Sequence, residues 1–136
     1  MEYEFSEDEL DAVTVARKIN ADPEAVFKTL VTRSDKNEIA VFIIPGNFEL
    51  DLKKAASASG HKKIEMIKVK ELLPLTGYIR GGCSPIGMKK LFPSFIDETA
   101  QLHEEIYVSA GVRGMQIKLA PDDLLNFINA AYADLI

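Results

Sequence analysis

A run of six apolar residues, from Ile39 to Ile44, constrains the fold of this chain more than any other segment. A strand with one face in water alternates apolar and polar side chains, whereas a strand covered on both faces is apolar throughout. Pro45 and Gly46 follow the run directly and stop it. The sequence therefore predicts a strand near residues 39–44 with both of its faces covered.

Helix signals stand at both ends of the chain. Ser6 and Glu9 match a capping box, which predicts a first helix near residues 7–19. Asp22 followed by Pro23 predicts an N-cap with proline at N1, which opens a short helical turn. A last helix is predicted to begin at Pro121 and to carry one apolar stripe, formed by Leu124, Ile128, Ala131 and Leu135.

The remaining predicted elements are short. They are strands at residues 27–32, 63–67, 94–98, 105–109 and 115–119, helices at 52–59 and 69–73, and a turn at 34–37. Strands thus outnumber long helices, and no regular alternation of strand, helix and strand is present. This pattern favours a mixed α/β or α+β sheet curled around a core.

The composition fits one globular domain. The chain has 136 residues, of which 47% are hydrophobic and 27% charged, and single domains commonly have about 100–150 residues. The N-terminus lacks the features of a signal peptide, and no apolar run approaches the roughly 20 residues of a membrane helix. We therefore expect a cytoplasmic protein with no membrane partner.

Cysteine and histidine are too sparse for a recognisable zinc site. Cys83 is the single cysteine, and the two histidines, His61 and His103, lie far apart in the sequence. An internal disulfide is excluded, and the spacing of zinc ligands is missing. We expect chemistry that uses neither a metal nor another cofactor.

The glycines concentrate in the second half of the chain. Six of the eight lie between Gly77 and Gly114, among serines, a proline and basic residues. Glycine has no Cβ, so the backbone can adopt positive φ there and a ligand can approach the main-chain N–H groups closely. This is the segment in which we expect the functional site.

The net charge of −5 is unusual for a protein that binds nucleic acid, because phosphate contacts normally require basic residues. Six acidic and no basic residues stand in the first eleven positions, however, so residues 12–136 carry 16 basic and 15 acidic side chains. Between Lys53 and Lys118 there are 11 basic and 6 acidic residues. Either a local basic face or lysines that only solvate the surface would give this count.

The segments that carry these features resemble the YbaK/EbsC family, which edits mischarged transfer RNA. The resemblance covers nearly the whole chain from about Tyr3. The matching segments follow the family order at family-like spacing: Phe27-Lys28-Thr29-Leu30-Val31, Leu52-Lys53-Lys54-Ala55-Ala56, Thr76-Gly77-Tyr78, Gly81-Gly82-Cys83-Ser84-Pro85-Ile86-Gly87-Met88-Lys89-Lys90, Ile106-Tyr107-Val108-Ser109, Arg113-Gly114 and Leu119-Ala120-Pro121-Asp122-Asp123-Leu124.

The resemblance implies one editing domain over residues 1–136, with a curled, barrel-like mixed sheet and peripheral helices. It also implies a trans-acting deacylase that removes a mischarged amino acid, chiefly cysteine from tRNA(Pro). In such an enzyme the thiol of the substrate attacks its own ester, so no cofactor is needed. The implied partners are aminoacyl-tRNA and prolyl-tRNA synthetase.

The resemblance also assigns site residues. The family lysine falls on Lys28, the following threonine on Thr29 and a substrate-lining serine on Ser109. Lys28, Gly81 and Gly82 are predicted to be catalytic. The predicted substrate-binding residues are Tyr3, Thr29, Cys83, Ser84, Pro85 and Ser109. The predicted tRNA-binding residues are Lys53, Lys54, Arg80, Lys89, Lys90 and Arg113.

Two departures from the family accompany these matches. Members usually begin with an additional helix before the strand that here would start at Met1, so the chain is expected to be a short or truncated version. An aromatic residue that lines the family's amino-acid pocket has no clear equivalent, since Asp11 or Ala12 falls at its place. The second departure bears on amino-acid specificity rather than on the fold.

The chemistry of an aminoacyl ester is compatible with these residues. The ester is already activated, so the protein needs mainly to stabilise the negative charge that develops on oxygen. Main-chain N–H groups of the loop at residues 81–83 and the charge of Lys28 are suited to this task. The pattern alone leaves two interpretations of Lys28: a charge in a pocket, or the outward residue of an alternating strand.

Other interpretations remain open at the level of sequence. Cys83 could act as a nucleophile, although no partner base is recognisable, and Ser84 could be a turn residue that bonds its own backbone. In place of a cysteine deacylase, the chain could be a hydrolytic domain that removes alanine from tRNA(Pro). It could also be a non-catalytic module that binds tRNA or a synthetase.

Overall fold

The apolar run at residues 39–44 forms the buried strand of a five-stranded sheet in a computed structural model, which describes residues 22–136. This strand is β2 (Ile39–Pro45), and its antiparallel neighbour is β1 (Phe27–Ser34). Phe42, Ile43 and Ile44 are each 0% exposed. The prediction of a strand covered on both faces is therefore confirmed.

Three further short strands complete this sheet. β3 (Ile64–Met66) pairs antiparallel with the last residues of β1. β4 (Ser94–Asp97) lies parallel to β2, and β7 (Ala131–Ala133) lies parallel to β4. The order across the sheet is β3-β1-β2-β4-β7.

A separate antiparallel hairpin stands beside the sheet. Its strands are β5 (Ile106–Ser109) and β6 (Gln116–Leu119). Val26, just before β1, forms an isolated parallel bridge with Tyr107 of β5. The hairpin therefore approaches the sheet at the beginning of β1.

The prediction of a curled, barrel-like sheet is wrong for the described residues, although the mixed α+β class is right. The five-stranded sheet is open, and its edges are β3 and β7. Closure would require the two edge strands to pair with each other. They have three residues each and lie at opposite ends of the strand order.

One helix of the described residues packs against the sheet on the side of Phe42 and Ile44. Helix α1 (Leu52–Ser59) contributes Ala55 and Ala56 to the core on that side. Asp51 caps α1, because its carboxylate accepts hydrogen bonds from the main-chain N–H groups of Lys53 at 3.0 Å and Lys54 at 3.1 Å. The bounds of α1 match the prediction.

The other core lies on the face of Val41 and Ile43, where Val108 of the hairpin joins it. Helix α2 (Val69–Thr76) and helix α3 (Pro121–Phe127) complete the helices of the described residues. None of these three helices has the length and apolar character needed to cross a membrane. The short helical turn predicted after Asp22 is present as one 3₁₀ turn, Pro23–Ala25. The helix predicted near residues 7–19 lies outside the described residues.

The prediction that the last helix carries one stripe as far as Leu135 is wrong. The helix ends at Phe127, and Asn129 adopts the left-handed conformation with φ +54°. The chain then turns into β7, where backbone pairing with β4 replaces helical hydrogen bonds. Leu135 packs with Phe42 and Ile44, whereas Leu124 and Ile128 pack in the other core.

A buried carboxylate holds this C-terminal strand in place. Asp97, at the end of β4, is 0% exposed and accepts a hydrogen bond from the main-chain N–H of Leu135 at 2.9 Å. Its other oxygen accepts a bond from the N–H of Thr99 at 3.1 Å. One side chain thus joins β4 to the chain terminus.

We predict that Asp97→Ala lowers the free energy of unfolding by about 1–3 kcal/mol, because a buried N–H loses its acceptor. Urea denaturation would measure the change. Glu104→Ala is the matched control, since Glu104 is exposed and surface substitutions usually change stability by less than about 0.5 kcal/mol. Equal stabilities of the two variants would contradict the role given to Asp97.

Candidate functional site

A cleft of about 690 Å³ lies beside β1, and we call it the β1 cleft. Residues 28–31 line it from β1. A second group comes from the end of β3 and the start of α2, namely residues 66–69 and Leu72. We call this group the α2 wall. A third group, the loop wall, consists of Arg80, Gly81, Cys83 and Arg113.

The cleft exists because one edge of β1 is only partly paired. β2 pairs with β1 from Phe27 to Arg33, whereas β3 pairs only from Thr32 to Ser34. Beyond β3, the N–H of Ile67 still donates to the carbonyl of Val31 at 3.2 Å. Within residues 22–136, no strand pairs with the same edge at residues 28–31. Four consecutive residues can therefore line one cleft, although their side chains alternate between faces.

Lys28 brings a positive charge to this edge. It is half-buried and lies opposite Ile44 in the register of β1 and β2. Among the described residues, no carboxylate forms an ion pair with its ammonium group. The charge of Lys28 is therefore available to an anionic or developing negative group in the cleft.

Thr29, the next residue of β1, presents an unsatisfied hydroxyl. Its Oγ1 is buried and has no hydrogen-bond partner among the described residues. Buried hydroxyls without a partner are costly and uncommon in native structures. Because Thr29 also lines the cleft, this unsatisfied oxygen lies in the wall of the cleft.

The loop wall begins with a tight turn that requires glycine. The N–H of Gly82 donates to the carbonyl of Ile79 at 3.0 Å, and Gly81, the third residue of this turn, has φ +85°. Side chains rarely adopt this backbone conformation, so glycine is the residue that fits here. The turn places the backbone of Gly81 in the lining of the β1 cleft.

Gly82 is required for close packing rather than for its dihedral angles. A Cβ at Gly82 would lie 3.2 Å from the main-chain nitrogen of Arg113 and 3.3 Å from atoms of Val112. Arg113 Nε also donates to the carbonyl of Arg80 at 2.9 Å. The tip of the β5–β6 hairpin is thus packed directly against the glycine turn.

The ring of Tyr78 fills the space between two loops. Its hydroxyl donates to the carbonyl of Ile86 at 2.5 Å. A Cβ at Gly87 would lie 2.9 Å from the hydroxyl oxygen, and a Cβ at Gly111 would lie 2.8 Å from ring atom Cε1. The two glycines therefore admit the ring, which fixes the loop after the glycine turn against the hairpin tip.

An ion pair attaches the α2 wall to β1. Arg33 Nη1 donates to both carboxylate oxygens of Glu71, at 3.1 and 2.9 Å. The hydrogen bond from Arg33 lowers the pKa of Glu71, so this carboxylate stays charged at neutral pH. The ion pair therefore holds the start of α2 next to the partly paired edge of β1.

The environment of Cys83 argues against a nucleophilic role. The side chain lies in the core cluster as well as in the lining of the cleft. Burial raises the pKa of its thiol to about 11, and the side chain of Thr76 opposes this effect only in part. The thiol is consequently neutral near pH 7, and the thiolate is the reactive form of cysteine.

The structure brings together six of the residues predicted from sequence. Lys28, Thr29, Arg80, Gly81, Cys83 and Arg113 all line the β1 cleft. Gly82 is buried directly behind the turn. Tyr3 lies outside the described residues, so its predicted role stays a prediction.

Other predicted site residues lie away from the cleft lining. Ser84 Oγ accepts a bond from the N–H of Ile86 at 3.1 Å, and Ser109 Oγ accepts one from the N–H of Gly111 at 3.2 Å. Ser84 is therefore a turn residue, which was one of the open interpretations, and Ser109, the last residue of β5, bonds the start of the hairpin loop. Pro85 is buried beneath the same loop.

The predicted tRNA-binding lysines also lie outside the lining. Lys54 Nζ forms an ion pair with Asp134 at 3.1 Å and donates to the carbonyl of Ile136 at 2.5 Å, so it is attached to the chain terminus. Lys53 is exposed at the start of α1, and Lys89 and Lys90 are exposed beyond the glycine loop. Of the six basic residues predicted to bind tRNA, only Arg80 and Arg113 line the cleft.

Sequence reasoning missed the α2 wall and Tyr78 as parts of the site. The α2 wall carries no motif of chemical type, because Met66, Val69 and Leu72 resemble ordinary core residues in the sequence. For Tyr78, the available signal was the number of glycines that follow it. Two of them turn out to make room for its ring.

Comparisons with known proteins agree on one family. A family model described as the aminoacyl-tRNA editing domain matches residues 6–127. The chain is 55% identical over 136 residues to the proposed Cys-tRNA(Pro)/Cys-tRNA(Cys) deacylase EbsC of Enterococcus faecalis, covering 98% of this chain and 83% of that protein. It is 30% identical over 99 residues to the proline–tRNA ligase of Shouchella clausii, covering 73% of this chain and 17% of that protein.

The same likeness is found among solved structures. One is described as the crystal structure of a proposed trans-editing enzyme for prolyl-tRNA synthetase. The TM-score is 0.88 at 27% sequence identity, with 99% of this chain and 83% of that chain covered. The similarity thus extends over the sheet, the hairpin and the loops that line the β1 cleft.

We predict that Gly111→Ala destabilises the protein more than Gly60→Ala, by about 1–3 kcal/mol, because only the first substitution overpacks the site. Both glycines have positive φ, +101° and +75°, but a Cβ at Gly60 would meet nothing within 4 Å. Urea denaturation of each variant would measure the difference. When Tyr78→Ala is added to both glycine variants, the difference in their stabilities should disappear. A difference that persists without the ring would contradict this role of Tyr78.

Proposed function

This chain belongs to the aminoacyl-tRNA editing domain family, and we propose that it is a trans-acting deacylase that removes cysteine from tRNA(Pro). We take residues 1–136 as a single editing domain. The relative named for Cys-tRNA(Pro) and Cys-tRNA(Cys) is 55% identical over 136 residues, which supports both the activity and the amino acid.

The observation that carries the proposal is the meeting of Lys28 and the Gly81 turn in one cleft. Cleavage of an aminoacyl ester builds negative charge on the carbonyl oxygen and then on the leaving ribose oxygen. Lys28, which forms no ion pair within residues 22–136, can stabilise such charge, and Gly81, which has no side chain, lets the carbonyl approach the main chain closely. We assign the catalytic roles to Lys28 and to the backbone of Gly81, whereas Gly82, whose N–H is already bonded to the carbonyl of Ile79, supports the turn.

The nucleophile in this proposal is the thiol of the cysteinyl group. Its sulfur forms a bond to the ester carbonyl carbon, the bond from that carbon to the ribose oxygen breaks, and the thiol proton ends on the ribose oxygen. The products are a cyclic thiolactone and deacylated tRNA. Correct positioning alone can contribute about 7–11 kcal/mol to such an intramolecular step, so a strong protein base is not needed.

The thiol of Cys83 has the wrong protonation state for an alternative mechanism with a protein nucleophile. Burial raises its pKa to about 11, so the thiolate fraction is very small at neutral pH. We therefore place Cys83, together with Thr29, in the wall that surrounds the substrate. Prolyl-tRNA synthetase is proposed as a partner, since the chain is similar to part of a proline–tRNA ligase.

The experiment that tests the function is deacylation of purified aminoacyl-tRNAs by the whole chain. Cysteinyl-tRNA(Pro) should lose its amino acid, whereas prolyl-tRNA(Pro) should remain intact. Faster release of alanine than of cysteine would favour the hydrolytic domain instead. Binding of tRNA without release of either amino acid would show a non-catalytic module.

We predict that Lys28→Ala lowers kcat for cysteinyl-tRNA(Pro) by about 10²–10³-fold, as does loss of one stabilising donor in other enzymes. Single-turnover deacylation would measure the effect, and urea denaturation would check that the variant is folded. Lys36→Ala, in the exposed turn after β1, is the matched control and should retain normal turnover. A folded Lys28→Ala variant with near-normal kcat would remove Lys28 from the mechanism.

We predict that cysteinyl-tRNA(Pro) is cleaved far faster than seryl-tRNA(Pro). The two side chains are similar in size, but the hydroxyl of serine is a much weaker nucleophile near neutral pH than a thiol. Rapid quenching should trap the thiolactone from the cysteine substrate. Comparable rates for the two substrates, with free cysteine as the first product, would mean that water attacks.

A further inference from the structure

Exposed apolar side chains stand on the α2 wall of the β1 cleft. Met66 is 46% exposed and Val69 is 64% exposed, and both line the cleft. Neither belongs to the two core clusters of the described residues. Core packing among residues 22–136 therefore does not account for their position.

Positive charge lies next to these apolar residues. Lys68, between them in the sequence, is exposed and lines the same cleft. Arg80 of the loop wall is also exposed, and no ion pair to it is found within residues 22–136. Glu71 accepts the main-chain N–H of Lys68 at 3.3 Å, and its negative charge is paired with Arg33.

The cleft is larger than an aminoacyl group requires. Its volume of about 690 Å³ falls in the range of about 300–1,000 Å³ that accommodates drug-sized ligands. In an aminoacyl-tRNA, the ester joins the amino acid to the ribose of the terminal adenosine. A nucleoside with its phosphate must therefore bind next to the ester, within reach of the same cleft.

The chemistry of that nucleotide complements these two walls. The faces of a base are apolar and pack against aliphatic or aromatic side chains, whereas phosphate oxygens pair with lysine and arginine. We propose that Met66 and Val69 form a platform for the terminal adenine base, and that Lys68 and Arg80 hold its phosphate. This subsite rests on the proposed deacylase function and adds the position of the nucleotide to it.

A platform of this kind binds by contact with the face of the base rather than by hydrogen bonds to its edges. Binding would therefore depend on the presence of a base more than on which base it is. The platform would also anchor the ribose, and with it the ester, at a fixed distance from Lys28. The effect should appear for every aminoacyl group that the enzyme accepts.

A cycle of two substrates and two proteins tests the platform. The substrates are cysteinyl-tRNA(Pro) and the same tRNA with an abasic ribose at the terminal position. For the wild-type protein, loss of the base should lower kcat/KM about tenfold. In the double variant Met66→Ser/Val69→Ser, kcat/KM for the normal substrate should fall about tenfold. Its kcat/KM for the abasic substrate should equal its kcat/KM for the normal substrate, because the platform is already lost.

The control is Leu102→Ser, because Leu102 is 83% exposed and does not line the cleft. In this variant, loss of the base should lower kcat/KM by the same factor as in the wild-type protein. If the double variant and the abasic substrate each lower kcat/KM independently, so that the two fold-losses multiply, the platform would be overturned. A wild-type protein that cleaves both substrates equally would overturn it too, with the deacylase function intact, whereas cleavage of neither substrate would overturn the function itself.

A second measurement tests the phosphate contact. Lys68→Ala should reduce the slope of log affinity against log salt by about one, since one phosphate contact is lost. Lys70→Ala is the matched control, because Lys70 is exposed on α2 outside the cleft lining. Equal salt slopes for the two variants would remove Lys68 from the subsite.

Discussion

The site depends on the unequal pairing of the two edges of β1. β2 pairs with this strand along nearly its whole length, whereas β3 reaches only Thr32 to Ser34. The chain turns away after Ile67 and begins α2, which the Arg33–Glu71 ion pair holds beside the strand. On this edge, residues 32–34 of β1 therefore complete the sheet by pairing with β3, whereas residues 28–31 line the cleft.

The sequence allowed the elements to be predicted better than their arrangement. The run at residues 39–44 and the Asp22–Pro23 helix start are local signals, and the structure confirms both. The last helix was predicted to be too long, because Ala131 and Leu135 continue its apolar spacing. What decides their structure is distant in the chain: Ala131 pairs with Phe95, and the N–H of Leu135 bonds to Asp97. Periodicity contains no information about such partners.

The candidate site shows the same division. The cluster of glycines could be recognised from the sequence, whereas Lys28 was singled out by the family resemblance, because the pattern alone left it either a charge in a pocket or an outward residue of the strand. The reason for each glycine could not be recognised, since Gly81 serves a turn while Gly111 makes room for the ring of Tyr78. The α2 wall gave no signal at all. Aliphatic residues that line a cleft and aliphatic residues of a core look alike until the fold is known.

Under the proposed function, the environment of Cys83 keeps the protein's own thiol out of the reaction. A thiolate in the cleft could attack the ester and trap the amino acid on the protein, in competition with the thiol of the substrate. Burial raises the pKa of Cys83 to about 11, and so the protein thiol stays protonated. In the proposed reaction the attacking thiol belongs to the cysteinyl group, which would bind in the cleft and not in the core. Burial thus gives a physical reason why, in the proposed mechanism, the protein thiol does not compete with the thiol of the substrate.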